Sequence, residues 1–419
     1  MKRKRWVYPG ILAAALLTAA LPGHAQTSVS LTPLRQGFET AWARQPEQRA
    51  AALRRDAAAA GLRAAQRWTP ETAALDLGAR TDRWHRNDGT REYEAAVSVP
   101  LWSPGERAKS QAVARSLAQA ADALLDAAQW RVAEEVRDSY WAHQRARIEQ
   151  EVAQQRRASA EGIARDVLRR VAAGDLARAD AHQAQAAVAL ADSMLAEAAV
   201  AEAQTAQAWA ALTGQAPAGA APAGEARVHE ALPEPLPADA PPAAHPLLQD
   251  LQARVDVARR QQDLAGAQMR ANPEVLLGTT RERDARGERY AQSINVGVRI
   301  PLGRSSASEA RLANAGADLL EAQSQLALET ERIGARIAAA RRRVELLAQA
   351  DSAARRRATL ASESRGFFDK AFRLGESDLP TRLRIELEAF EAERQAARSR
   401  LEVGAAISQL RQALGLLPE

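Results

Sequence analysis

Histidines, cysteines and paired carboxylates are the side chains that could hold a metal or move a proton, and this sequence spaces them poorly for either task. His85, His143, His182, His229 and His245 are scattered, with no pair one helical turn apart. There is no Cys to complete a ligand set, so neither a zinc-type site nor a disulfide framework is expected. Glu134-Glu135 is a pair of adjacent carboxylates, but neighbours along a helix point apart, and the pair reads as a solvated face rather than acid–base machinery. No Gly-x-Ser-x-Gly elbow and no phosphate-cradling Gly loop occurs. The chain reads as a non-enzyme with no cofactor, and its function has to be sought in the elements themselves.

The first 25 residues read as a secretory signal peptide: a basic run Lys2-Arg3-Lys4-Arg5, an apolar stretch Ile11 to Leu21 too short to span a bilayer, and a small-residue cleavage site at Gly23-His24-Ala25. Cleavage near Gln26 leaves no Cys for a lipid anchor. Four of the 57 Lys and Arg leave with the leader, so 53 bases face 52 acids in the mature chain. The balance of +1 and the interspersed charges argue against a nucleic-acid partner. Five Phe in 419 residues, with Ala and Arg abundant, point to long helices packed on one another rather than a compact enzyme core.

The chain repeats itself. Pro100-Leu101 matches Pro301-Leu302, Gly174-Asp175 matches Gly375-Glu376, and Gly214 matches Gly415, all at an offset of 201 residues. A first repeat is expected over 26–214 and a second over 247–419, joined by a Pro/Ala-rich linker at 215–246. Each repeat has the same internal order. A helix (about 31–67, then about 246–270) is followed by a break at Thr69-Pro70 or Asn272-Pro273. A β-hairpin comes next, at about 72–101 with its turn at Asn87-Asp88-Gly89, and at about 274–302 with its turn near Ala285-Arg286-Gly287.

The returning strand of the second hairpin alternates cleanly. Ile294, Val296, Val298 and Ile300 point one way, and Ser293, Asn295, Gly297 and Arg299 the other. The first hairpin repeats this more weakly, with Tyr93, Ala95, Val97 and Val99 against Glu92, Glu94, Ala96 and Ser98. Such strands suit a transmembrane β-barrel with a wet interior; they equally suit a half-buried antiparallel sheet. Trp68, Trp84 and Trp102 near the strand ends match interfacial aromatics and also ordinary packing.

Pro100 cannot continue a ladder, so the strand should end there. Ser103 is the expected N-cap, Pro104 the first helical residue and Glu106 the capping-box partner; Ser306 and Glu309 repeat the spacing. Helical runs of about seventy residues, about 100 Å long, should follow. In the second, Leu312, Leu319, Leu326 and Ile333 sit seven apart, with Ile337 and Val344 adjoining, as in a coiled-coil seam. Gly174 and Gly375 then interrupt, and a second long helix returns.

Two repeats of helix, β-hairpin ending in Val-x-Val/Ile-Pro-Leu, and long helical hairpin with Gly-Asp or Gly-Glu at its tip resemble the TolC-like outer-membrane factor (outer membrane efflux protein) family over nearly the whole mature chain. The resemblance implies a mainly α fold with a small transmembrane β part. It implies a homotrimer whose four strands per chain close a twelve-stranded β-barrel, continued by a periplasmic α-barrel. It also implies an outer-membrane location in a Gram-negative bacterium, surrounding lipid, a periplasmic adaptor and an inner-membrane efflux pump exporting drugs or metal cations. The chain ends at Glu419 just past the last helix, and that compactness resembles the branch serving heavy-metal cation efflux.

The family's adaptor-contacting tips fall on Gly174, Asp175, Gly375 and Glu376. Its gate positions fall on Asp180, Phe372 (an aromatic, but not the family's Tyr), Ser377 (in place of Arg), Thr381 and Arg384 (in place of acids). The usual Asp-Tyr-Arg latch therefore cannot form as such. Ile294, Val296, Val298 and Ile300 become the lipid-facing positions. Arg384 either forms a ring of positive charge or pairs with Glu388 one turn on. A periplasmic coiled-coil adaptor without a barrel is the competing reading, and membrane fractionation separates the two.

Overall fold

The computed structural model describes residues 32–217, 230–233 and 245–419. The signal-peptide segment and most of the expected linker lie outside the described residues. Two helices open the chain, α1 (Pro33–Arg44) and α2 (Pro46–Ala65), followed by strands β1 (Ala74–Thr81) and β2 (Arg91–Pro100) and helices α3 (Glu106–Ala172) and α4 (Arg178–Thr213). The order then recurs with α5 (Pro246–Ala267), β3 (Glu274–Arg283), β4 (Ala291–Arg299), α6 (Ser306–Arg373) and α7 (Leu379–Ala413).

The single helix expected over 31–67 is two helices. Pro46 removes an amide donor and holds Gln45 extended at φ −67°, ψ 139°, which no continuous helix tolerates. Both strand-to-helix turns also differ from expectation. The α3 helix begins at Glu106, with Gly105 at positive φ before it. Half of the expected capping box survives: the Ser103 amide donates to Glu106 Oε2 at 3.1 Å. The Ser103 hydroxyl, however, donates to Asn272 Oδ1 at 2.9 Å, and Gln268 Nε2 donates to Glu106 Oε1 at 2.7 Å. The first turn is thereby stitched to the segment that leads into β3. In the second turn the cap is Ser305, bonded to Ser308, one residue earlier than the expected Ser306–Glu309 pair.

The four strands form one antiparallel sheet in the order β1-β2-β3-β4. All helix-connected ends lie on one side and both hairpin turns on the other. The helices pack in two stacked hairpins, α3 with α4 and α6 with α7, with α5 lying against both α3 and α6. Along α6, Leu312, Leu319 and Leu326 are half-buried, Ile333 is buried, and Ile337 and Val344 continue the stripe. Ile333 meets Leu248 and Leu251 of α5. The other apolar cluster at this level joins Leu34, Phe38 and Ala41 of α1 to Val132, Val136, Tyr140 and Trp141 of α3, Trp209 of α4, and Leu401 and Ala405 of α7. By composition alone α4 is long and apolar enough to cross a membrane, but it runs beside α3 as the return arm of a hairpin.

A buried ionic cluster sits beside this core. Arg137 donates to both carboxylate oxygens of Glu230, at 3.2 and 2.8 Å, and to the Leu416 carbonyl at 3.0 Å. Arg411 pairs with the same carboxylate at 3.3 Å and the Ser408 hydroxyl bonds to it. The Glu230 side chain is 2% exposed. One residue of the expected linker is thus held by α3 and α7. Nearby, His245 caps α5 by accepting from the Leu247 amide at 3.2 Å, with Trp130 edge-on at 4.8 Å. Burial, reinforced by the Arg336 charge, lowers the His245 pKa to about 4.

Glu230→Ala strands the buried Arg137 guanidinium and leaves Arg411 with Glu419 alone; it should cost about 3–5 kcal/mol, visible as a lowered unfolding midpoint of the purified protein. An unchanged midpoint would show that the cluster contributes nothing. His245 gives a pH signature. The unfolded imidazole takes a proton near pH 6.5 and the folded one only near 4, so its stabilising effect is complete above 6.5 and is lost as pH falls towards 4. Between pH 7 and 5 the loss should be about 2 kcal/mol, and His245→Asn, which keeps a capping acceptor, should flatten that slope.

Candidate functional site

The two helical tips have the same backbone geometry. At the first, Gly174 takes φ +87°, its amide donates to the Val171 carbonyl at 3.1 Å, and the Asp175 amide to that of Arg170 at 2.9 Å. At the second, Gly375 takes φ +80°, with the Gly375 amide on the Phe372 carbonyl at 3.2 Å and the Glu376 amide on that of Ala371 at 2.9 Å. The left-handed residue lets each helix satisfy its last carbonyls and reverse. Asp175 and Glu376 are both exposed at the tips.

The returning helices start differently. Asp180 Oδ2 accepts from the Ala177 amide at 3.0 Å. At the second tip Asp378 is the cap, accepting from the Thr381 amide at 3.1 Å. The Thr381 hydroxyl and then its amide hold the Asp378 carboxyl below its ordinary pKa. Asp180 and Thr381 are therefore engaged in helix starts, while Ser377 lies half-buried in the turn between. Arg384 pairs with Glu388 at 2.6 Å, both side chains being more than half exposed. Of the two alternatives for Arg384, the single chain adopts the ion pair.

Phe372 is the centre of the tip. It is 2% exposed and packs with Ile163, Ala164 and Val167 of α3, Ala184 of α4 and Leu379 of α7. Arg170 and Arg382 lie over the ring at 4.9 and 4.7 Å. Arg170 also donates to the Phe372 carbonyl at 3.0 Å. Arg382 reaches Asp369 of α6 at 2.6 Å and Asp166 of α3 at 3.4 Å. One aromatic and two guanidinium groups thus tie the two hairpins together at their ends, with cation–π and charge-assisted contacts in a partly dehydrated setting. Sequence reasoning singled out Phe372 and missed Arg170, Arg382, Asp166 and Asp369. The only signal was an Arg–acid spacing of three or four residues that recurs along α3, α6 and α7.

The sheet has two chemically distinct faces. Directly paired residues share a face, so the register aligns Leu75, Val97, Leu277 and Val296 in one row and Leu77, Ala95, Thr279 and Ile294 in the next; Val99, Val275 and Val298 form a third. Ile294, Val296, Val298 and Ile300 are 76%, 73%, 61% and 64% exposed. Apart from Leu276, the opposite face is small or polar: Asp76, Ala96, Gly278 and Asn295 share a row, as do Gly78, Glu94, Thr280 and Ser293. Asn295 Nδ2 donates to Thr280 Oγ1 at 2.8 Å on that face. No helix covers either face, and β1 and β4 each have one edge with no strand beside it among the described residues.

Residues 38–215 match the family model for outer membrane efflux proteins. The whole fold is similar to that of solved outer membrane channels. The chain carries the fold of a TolC-like outer membrane efflux protein. The outer membrane protein VceC of Vibrio cholerae superposes with a TM-score of 0.71 at 20% identity, over 92% of this chain and 97% of that one. The CmeC outer membrane channel of Campylobacter jejuni gives 0.71 at 14% identity, over 97% and 94%. The MtrE outer membrane channel of Neisseria gonorrhoeae in its open state gives 0.67 at 17%, over 92% and 89%. A direct search of curated proteins returns no match. Outer membrane efflux proteins are channels rather than enzymes.

In this TolC-like tip, Phe372→Ala should remove about 3–5 kcal/mol of packing. Hydrogen exchange should accelerate at 163–172 and 372–383 and stay unchanged near the sheet. Equal protection in both proteins would mean that the ring does not hold the tips together.

Proposed function

We propose that this chain is the outer-membrane conduit of a tripartite efflux system. In this reading it is exported with cleavage of its leader and assembles as a homotrimer, in which three four-stranded sheets close a twelve-stranded barrel. The helices continue the barrel into the periplasm. The observation that carries the reading is the sheet: four strands in one register with a face that is apolar but for Thr279, a mostly polar opposite face and two open edges. A hydrocarbon environment tolerates the apolar face but not the open edges, because unpaired amides and carbonyls have no water there. Four strands are also too few to close alone, since the smallest barrels take about eight. Copies of the same chain are the simplest source of the missing strands. The interior rows that hold Asp76 and Asn295, and Glu94 and Ser293, then face a water-filled lumen suited to small solutes.

At the other end, Gly174, Asp175, Gly375 and Glu376 form the surface offered to a periplasmic adaptor, which couples the conduit to an inner-membrane pump. Closure of the entrance rests on the Phe372–Arg170–Arg382 cluster. The polar groups of Asp180 and Thr381 are engaged in helix starts, Ser377 brings no charge, and Arg384 is neutralised by Glu388.

Crosslinking in detergent should trap a trimer from the outer-membrane fraction; a soluble periplasmic monomer would favour the adaptor reading instead. Val296→Arg, at mid-strand on the apolar face, should cost about 2–4 kcal/mol and abolish trimer yield, whereas Asn295→Ser on the polar face should assemble normally. Equal yields from the two variants would mean that the strand does not cross a membrane.

A further inference from the structure

At the hairpin-turn end of the sheet, charge is sorted by face. Continuing the apolar face outward along the register gives Tyr93 paired with Arg281 and Arg91 paired with Arg283, with Tyr290 beside them: Arg281 and Arg283 lie over its ring at 4.7 and 5.1 Å, and Tyr93 is 6.4 Å away. No strand residue on this part of the face is acidic. The acids of the intervening row, Glu92 and Glu282, are on the opposite face with Arg80. Among the described residues none of Arg91, Arg281 and Arg283 has an ion pair. Their one side-chain hydrogen bond among the described residues runs from Arg283 Nε to the Gly89 carbonyl at 3.1 Å.

The turns behind them are braced. The Arg286 amide donates to the Asp88 carbonyl at 3.0 Å, the Thr90 hydroxyl to that of Asp284 at 2.9 Å, and the Gly89 amide to Asp82 Oδ2 at 3.0 Å. Gly89 sits at φ +103°, and a Cβ there would lie 2.5 Å from the Arg286 nitrogen. The Glu288 carboxylate accepts from the Ala285 amide. The basic and aromatic patch is therefore carried on a fixed platform, directly above the apolar rows.

We infer that Arg91, Arg281 and Arg283, with Tyr93 and Tyr290, bind the phosphate groups of a glycolipid in the outer leaflet. This rests on the barrel reading above, in which the apolar rows meet acyl chains and the turn end is extracellular. Stacking on Tyr290 leaves the guanidinium edges free to donate in pairs to phosphate oxygens. The tyrosines sit at the depth where amphipathic rings favour the headgroup boundary. The polar face has no comparable unpaired base in these rows, so the charge sorting favours an anion held at the membrane side rather than in the lumen.

The test is native mass spectrometry of the detergent-purified protein titrated with bisphosphorylated lipid A, with dephosphorylated lipid A and with inorganic phosphate. Wild type should retain bisphosphorylated lipid A. The triple variant R91Q/R281Q/R283Q should retain it at least about tenfold less, from about 1 kcal/mol per basic residue near an anionic surface. Because Arg283 also braces the turn, R281Q alone is the second variant and should lose about threefold to tenfold. Equal retention of the two lipids, unchanged retention in both variants, or displacement of the lipid by millimolar inorganic phosphate would each overturn the inference. Location in the outer membrane is scored separately: a wild-type protein absent from that fraction defeats the barrel reading itself, whereas one present there whose lipid retention ignores these arginines defeats only this site.

Discussion

Strand register is the constraint on which the rest of this molecule depends. Side chains alternate with a period of two, so a one-residue slip between any two strands would carry Leu77 or Val296 onto the face occupied by Asp76, Glu94 and Asn295. Three consecutive pairings agree on which face is apolar, and that agreement joins the two halves of the chain across β2 and β3. The junction is reinforced below the sheet, where Ser103 meets Asn272 and Glu106 meets Gln268. Once the register is set, every helix-connected strand end lies at one level, and the long helices have one direction in which to continue.

The helical part is held by a few dense points rather than by a continuous core. Many apolar side chains on α6, including Leu320, Leu328 and Phe367, are exposed in the single chain. The strongly buried groups gather in three clusters: around Trp141 and Trp209, around Ile333, and around Phe372. Close to the first of these lies the Arg137–Glu230–Arg411 cluster. A buried pair of this kind contributes little net stability against an apolar replacement, but it is costly to break once formed. It fixes where the connection between the two halves crosses α3 and α7. The tip cluster works in a similar way, since Arg382 meets two carboxylates from different helices while lying on an aromatic face.

The two ends of the molecule use arginine in different settings. At the tips, Arg382 is neutralised by Asp166 and Asp369 while Arg170 donates to the Phe372 carbonyl, and both serve packing between hairpins. At the turn end of the sheet, Arg91 and Arg281 are left without carboxylates; Glu92 and Glu282 are turned to the other face, and Asp82 and Glu288 are bonded to amides. The total charge of the chain conveys none of this. Near-neutrality overall is compatible with sharp local sorting, because a β-strand separates adjacent residues to opposite faces while a helix brings residues three and four apart together.

Local chemistry was sufficient to read much of this from the sequence. Alternation along Ile294–Ile300, the turn signals at Asn87-Asp88-Gly89 and Gly287, the interruptions at Gly174 and Gly375 and the seven-residue spacing of Leu312 to Ile333 all act over one or two turns of chain, and the structure places strands, turns, tips and a half-buried seam at those residues. Short-range reasoning failed where a local preference met a distant partner. The Ser103 hydroxyl left its own helix for Asn272, and the break at Gln45-Pro46 was passed over inside a favourable Ala-rich pattern. Glu230 sat in a stretch whose composition suggested only a linker, and the residues surrounding Phe372 carried no pattern of their own. The Ser103, Glu230 and Phe372 contacts depend on groups brought together from about 90 to more than 200 positions apart, whereas the break at Gln45-Pro46 is local and follows from the proline alone. Sequence periodicity specifies which face a residue occupies on its own element; only tertiary packing decides which other element that face meets.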